Sequence, residues 1–411
     1  MGSLWTEVGI LLEEQSLAPD THAARSVIGR LIADGTQVSR SQLVRATGLA
    51  RSTVDKHLDG LLEAGLIEDA GFGKQDARGR PAQMFQVSAG KGVVLVAEVS
   101  TRTSRVALTT LDKTIVGRRE LTIDVEAGPD VLLGALVEQF LALLKENGLT
   151  KDAALAVSVG LPGPVDSHLG MAVRPPLMPG WDGFGVCRFL AERLGCDVVV
   201  DNDVNLMALG AARALKGTHL PLLLVHIGPG VGGGFVGENG RLLHGADGAA
   251  VDIGHIRVPE LPDALCRCGN RGCLEAVAST SAIAARFDMS EDELLASVTR
   301  GEANTISVVR EVAIVVGRVI ADLVNFCNPA RIVLSGPLVQ CTEEVLAQVR
   351  SVVYQQSRPL ATRDLSLVHS SLGGEAGLIG GMVSAIEQVL SPRGIAYHTR
   401  PPDSSLLPLG L

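Results

Sequence analysis

Cys266, Cys268 and Cys273 crowd into one short stretch, and His255 precedes them by a single loop. One imidazole and three thiolates form a closed tetrahedral donor set of the kind that holds structural zinc, with no open position for catalysis. The intervening Gly269-Asn270-Arg271-Gly272 cannot easily be a core-packing motif, so reduced thiols in a surface loop are the weaker explanation. The other cysteines of the seven are scattered. That pattern fits a reducing compartment and argues against a disulfide scaffold. The expectation is a cytoplasmic protein with one metal centre.

A donor loop of this kind has to be carried by a framework. With 411 residues, 46% of them hydrophobic, the chain has material for two or three domains and a large core. Aromatics are scarce while glycine is abundant and clustered, which suits α/β architecture with tight turns. The net charge of -9 excludes an all-over nucleic-acid coat but leaves room for a small basic module. Met1 to Pro19 has no basic n-region and no small-residue cleavage site, so it does not read as a signal peptide. The longest apolar runs, such as Leu220 to Ile227, are strand-sized and far short of a membrane span.

Four segments follow: an extension over 1–20, an N-terminal module over 21–90, a body over 91–390, and a Pro- and Ser-rich flexible tail over 391–411. Within the body, Val93 to Ala97 and Arg105 to Leu111, with a turn at Asp112-Lys113, make a strand-rich opening. Leu222 to Ile227, Gly228 to Val236 and Arg241 to Leu243 repeat it. Two related lobes (91–205 with a C-terminal helix over 376–390, and 206–375) would enclose a cleft, where ligands of α/β proteins usually bind.

In the N-terminal module Ala24, Val27, Ile28 and Leu31 recur at helical spacing, predicting a helix from His22 to Ala33. Ser39 caps a second helix, Ser41 to Thr47. Gly48-Leu49-Ala50 forms the turn, and a third helix runs from Arg51 to Ala64, burying Val54, Leu58, Leu61 and Leu62. Helix, short Gly-bearing turn, helix is the geometry that lays a helix in the DNA major groove. Arg51, Ser52, Thr53, Lys56 and His57 are the candidate contacts there, while Asp55 and Asp59 would repel phosphate. Leu66-Ile67 and Met84 to Val87 flank a loose hairpin tip, Gly71 to Pro81. Its Lys74, Arg78 and Arg80 suit a wing approaching phosphates or a minor groove. A protein-docking module with a solvated loop is the alternative. Double-stranded DNA explains turn, stripe and basic tip together.

The stretch Asp252-Ile253-Gly254-His255, followed by Cys266-Arg267-Cys268-Gly269-Asn270-Arg271-Gly272-Cys273-Leu274-Glu275, resembles the signature of the ROK family of repressors and sugar kinases. Leu161-Pro162-Gly163-Pro164-Val165-Asp166, Pro179-Gly180-Trp181 and Asp201-Asn202-Asp203-Val204-Asn205 are similar to further family segments. The resemblance implies a winged helix-turn-helix joined to a two-lobed actin/hexokinase-like (ribonuclease H-like) sugar-kinase fold. It implies that Asn202, Asp203, His255 and Glu275, with Asp252 beside them, hold sugar hydroxyls. The chemistry is sound in itself, because carboxylates beside an amide satisfy groups that both donate and accept. His255 can bind metal through one nitrogen and offer the other to a hydroxyl. By themselves, Asn202 and Asp203 would read as an Asx turn after the strand Cys196 to Val200.

The resemblance leaves the activity open. Asp203 stands where the family's kinases have their general base. The family's first phosphate loop, however, appears as Glu98-Val99-Ser100-Thr101-Arg102, without its glycines. Pro229 and Ser335-Gly336-Pro337 depart from the pattern on the same side, whereas Gly373 to Gly380 is better kept. Asp252 replaces a glutamate, which puts the identity of the sugar in question. Three readings follow: a sugar-responsive repressor without phosphoryl transfer, acting as a homodimer or homotetramer on a palindromic operator; an ATP-dependent sugar kinase with an accessory DNA-binding domain; and a repressor controlled by a protein partner.

Overall fold

The computed structural model describes residues 21–399 apart from 36, 74–80, 177, 217 and 260. The candidate wing-tip cations Lys74, Arg78 and Arg80 therefore lie outside the described residues, as does the extension over 1–20.

Helix α1 (Thr21–Asp34) buries Ala24, Ile28 and Ile32. Strand β1 (Val38–Ser39) leads into α2 (Arg40–Thr47). Ser39 caps α2 through a reciprocal box, its backbone N–H donating to Gln42 Oε1 at 2.7 Å. Gly48, at φ 68°, ends α2 in the left-handed region, so α3 (Arg51–Glu63) can start at an angle to it. Strands β2 (Ile67–Phe72) and β3 (Gln83–Val87) then form an antiparallel hairpin, with β1 on the outer side of β3. This is a winged helix-turn-helix.

The body has two sheets built on one plan. In the first, β4 (Val93–Val99), β5 (Ser104–Thr110) and β6 (Ile115–Leu121) form an antiparallel meander. After α4 (Pro129–Glu146), β7 (Ala154–Leu161) joins β4 in parallel. After α5 (Val186–Leu194), β8 (Asp197–Asn202) joins β7 in parallel. β4 and β7 are buried at every position, because helices cover both faces of that sheet.

Helix α6 (Asp203–Ala214) leads to the second sheet. There β9 (Leu222–Ile227) pairs antiparallel with β10 (Val231–Val236). Beyond the long helix α7 (Ala303–Cys327), β11 (Arg331–Ser335) pairs in parallel with β9. After α8 (Glu344–Gln356), β12 (Ser366–His369) pairs in parallel with β11. The repeated opening is present, with one correction. Arg241 to Leu243 is not a third strand and makes a single bridge, Val236 to Leu242.

Helix α9 (Ala376–Val389) packs along α6 and covers β4 and β7, so α6 and α9 form the seam between the sheets. Arg213 near the end of α6 donates to Glu387 near the end of α9 at 2.6 Å. The stretch expected to be a mobile tail from Ser391 begins with a helix, α10 (Pro392–His398). Ser391 caps it, Pro392 starts it, and Ile395 is buried beside Gly29 of α1. Two turns holding one large apolar anchor are too short for periodicity to register.

Candidate functional site: a cleft between two lobes

The two lobes face each other across a cavity of about 690 Å³. Asn202, Asp203, Asp252, His255 and Glu275 all line it, so the fold brings together every proposed sugar residue. Pro162 to Val165 line it as well, whereas Trp181 does not. Its indole is buried in the first lobe, donating to the Val125 carbonyl at 3.0 Å.

One wall is the donor loop. A ring nitrogen of His255 and the sulfurs of Cys266, Cys268 and Cys273 lie within 4.8 Å of one another. His255 Nδ1 is 3.7 Å from Cys266 Sγ, and Cys268 Sγ is 3.8 Å from Cys273 Sγ. These separations are too long for a disulfide and match the edge of a tetrahedron with metal–sulfur bonds of about 2.3 Å. The four side chains thus fit a metal ion. With Nδ1 turned to the sulfurs, His255 has Nε2 left for the cleft. Glu275, next along, accepts from Val231 N at 3.2 Å through Oε2, and Arg267 lies 3.8 Å from its Oε1.

The opposite wall is the start of α6. Asn202 is its N-cap, accepting from Val204 N at 2.9 Å and Asn205 N at 3.2 Å and donating to the Gly163 carbonyl at 2.8 Å. The Asx geometry and the cleft position thus coexist in one residue. Burial, followed by the neighbouring charge of Glu98, pushes Asp203 up to about 7. His226 lines the far end, held neutral by burial at about 4.

A polar tie that sequence reasoning missed braces this wall from behind. His244, on the loop after β10, lies 2.7 Å from Asp201 Oδ2. Asp201 Oδ1 in turn accepts from Asn202 N and from Asn205 Nδ2. The hydrogen bond to Asp201 raises the His244 pKa above 6.5, against the effect of burial. The folded pKa is the higher one, so the stabilisation is complete below about pH 6.5 and is lost as pH rises through the folded value. The stability lost on His244→Ala should therefore be larger in mildly acidic than in alkaline buffer. Thermal unfolding of both proteins across pH measures this, and a pH-independent difference would rule out an imidazolium at 244.

In the N-terminal module Arg51, Ser52 and Lys56 are exposed on α3 and Thr53 is half-buried. His57 corrects the sequence expectation. It is 5% exposed, and burial followed by the charges of Arg25 and Lys56 lowers its pKa. A histidine buried in this way is not presented at the surface beside Arg51, Ser52 and Lys56. Its position one residue before Leu58 places it on the edge of the apolar stripe, where α1 packs on α3 and brings Arg25 close. Asp55 is paired with Arg40, which offsets its repulsion of phosphate.

The profile of the ROK family matches residues 98–388, and a profile of bacterial regulatory proteins of the arsR family matches residues 30–69. A glucokinase from Halalkalibacterium halodurans is 29% identical over 305 residues, 69% of this chain and 92% of its own length. A putative xylose repressor from Caldicellulosiruptor sp. is 25% identical over 386 residues, 89% of this chain and 96% of its own. Among solved structures, a ROK family transcriptional regulator described as a homolog of the E. coli MLC protein superposes with a TM-score of 0.78 at 25% identity. That match covers 92% of this chain and 98% of the other. Shares as large as those of the two regulators cannot be reached without the N-terminal module, whereas the glucokinase share fits within the two lobes.

Proposed function

The chain belongs to the ROK family, and from that premise we propose that it is a sugar-responsive DNA-binding transcription regulator, a cytoplasmic repressor of carbohydrate-use genes that transfers no phosphoryl group. The observation that carries this is the joint between module and cleft. Ser26 of α1 donates to the Leu390 carbonyl at the end of α9 at 2.6 Å, in buried surroundings. Lys113 Nζ, on the first lobe, donates to the Ala33 carbonyl of α1 at 3.0 Å. Helix α9, whose start borders the cleft and which packs along α6, therefore ends against the DNA-binding module. A sugar that favours one arrangement of the lobes biases the placement of α3 by its differential affinity for the two arrangements.

In this reading Arg51, Ser52, Thr53 and Lys56 face an operator, and Lys74, Arg78 and Arg80 supply further phosphate contacts. A monosaccharide or derivative takes Asn202, Asp203, Asp252, His255 and Glu275. Zinc on His255, Cys266, Cys268 and Cys273 supplies a cross-link that stiffens the sugar wall. The chain acts as a homodimer or homotetramer on paired half-sites. Among the described residues, no helix is long and apolar enough to cross a membrane.

A second reading, an ATP-dependent sugar kinase, is favoured by one observation. Asp203 lines the cleft at the start of α6, where burial pushes its pKa up to about 7, the range suited to a general base near neutrality. Both readings are tested together. Duplexes selected from a random pool are titrated by fluorescence anisotropy with and without a monosaccharide panel, and ADP formation is followed in parallel. The regulator reading expects a selected duplex whose affinity changes at least about tenfold with one sugar, without sugar-dependent ADP. It also expects Arg51→Ala to weaken binding and reduce the salt slope by about one. No selected duplex, together with sugar-dependent ADP, would favour the kinase.

A further inference from the structure

One half of the cleft is lined by bare backbone at Gly230, Gly336, Gly373, Gly374 and Gly377, and the last of these lies in the first turn of α9. Backbone without side chains beside a helix start is where an external anion would be received. Here the place is filled by an anion of the chain itself. Glu98, at the end of β4, is 4% exposed. Its Oε1 lies so close to Gly377 that a Cβ there would overlap it. Its Oε2 takes the Arg105 guanidinium, which also donates to the Gly374 carbonyl. The other terminal nitrogen of Arg105 lies 3.5 Å from Glu375, and Arg118 lies 3.7 Å from that same carboxylate.

Of the arginines that line the cavity, Arg105 is thus committed to two carboxylates and a carbonyl, and Arg267 to the Pro229 carbonyl and the Glu275 carboxylate. Arg105 cannot swing toward a ligand without leaving Glu98 buried and unpaired, an arrangement that is strongly destabilising. Arg102, also at the cleft, is exposed, and water screens its charge. A ligand group extending past Asp203 into this half therefore meets Glu98.

We infer that the cleft takes uncharged sugars and rejects sugar phosphates whose phosphoryl group points into the glycine-lined half, with Glu98 as the residue that decides between them. The inference rests on the sugar-sensor reading and names the charge class of its effector. A phosphate dianion brought against a buried carboxylate in water-poor surroundings suffers like-charge repulsion that its hydrogen bonds do not offset. Burial raises the Glu98 pKa in spite of Arg105, and the Glu98 charge helps to raise that of Asp203.

The test is isothermal titration of the full chain with D-glucose, N-acetyl-D-glucosamine and D-xylose. Each is compared with its terminal phosphate ester, and inorganic pyrophosphate is titrated alone. For whichever sugar binds, its ester should bind about 100-fold more weakly or worse, and pyrophosphate should give no heat in the millimolar range. Glu98→Gln keeps the shape and can still accept from Arg105. It should narrow the sugar-to-ester ratio at least about tenfold and make pyrophosphate binding measurable. An ester binding the wild type as tightly as its parent sugar overturns the inference, and so does a ratio that Glu98→Gln leaves unchanged. If no sugar of the panel binds, it is the sugar-sensor reading that loses support. The pyrophosphate arm still decides the role of Glu98, since equal binding by wild type and variant overturns it. Should Glu98→Gln fail to fold, the wild-type comparison of sugar with ester decides alone.

Discussion

Gly380→Ala should destabilise the protein by about 3 kcal/mol or more, because overpacking against backbone cannot be relieved by rotating a side chain. Gly380 on α9 lies against α6 so closely that a Cβ would overlap the Leu206 carbonyl. Across the same contact, a Cβ on Gly210 would stand 3.0 Å from Gly380 N. The two helices therefore touch through bare backbone, and an added methyl must push them apart along the seam between the sheets. The unfolding temperature should fall by about 3 °C or more, and whatever chain remains folded should lose the influence of sugar on DNA binding. Gly134→Ala on α4, with nothing within 4 Å of the new Cβ, is the control. It should be neutral or stabilising by up to about 1 kcal/mol through helix propensity. If both variants melt with the wild type, the seam yields to an added methyl and α6–α9 is not a rigid connection.

Removal of the metal is expected to have the other large effect, on ligand affinity more than on the fold. Cys268 is the most accessible of the three thiols, Cys266 and Cys273 being 3% and 1% exposed. Cys268→Ser thus removes a donor with little loss of packing. Elemental analysis should find zinc in the wild type at about one per chain and a large deficit in the variant. Sugar affinity should drop about 10- to 100-fold, the range seen when the support of a binding side chain is removed. The reason is geometric: His255 and Glu275 bracket the donor loop at both ends and line the cleft. Chelation of the wild type should reproduce the loss and restored zinc should reverse it. Wild-type protein that purifies without metal would defeat the expectation, as would a Cys268→Ser variant that binds sugar normally.

The loss of sugar affinity and the loss of rigidity separate the two roles that the cleft walls play. In the proposed regulator the donor loop would set where hydroxyl partners stand, whereas the α6–α9 seam would carry lobe placement to the DNA-binding module. A variant of the first kind should still bind DNA and ignore sugar, because its joint at Ser26 and Leu390 is intact.

Much of this was legible in the chain because the determining distances are local. The stripe Val54, Leu58 and Leu61 repeats within three turns of one helix, and Ser39 lies three residues from the Gln42 that completes its cap. The His and Cys donors come from one continuous loop whose spacing already limits how the sulfurs can meet. Hydrophobic period, cap chemistry and ligand spacing act over the reach of a turn or a loop, so sequence alone determined the winged helix, the lobes' repeated openings and the candidate metal centre. Tertiary packing decided what depends on approach between distant segments. Arg105 meets the Gly374 carbonyl across 269 positions, and Ser26 meets Leu390 across 364. The burial of His57 required α1, the helix at Pro392–His398 required the face of α1 that receives Ile395, and the tie of Asp201 to His244 required a loop from the other sheet. No local pattern encodes such meetings, because each partner's surroundings exist only once the sheets, the seam and the module have packed together.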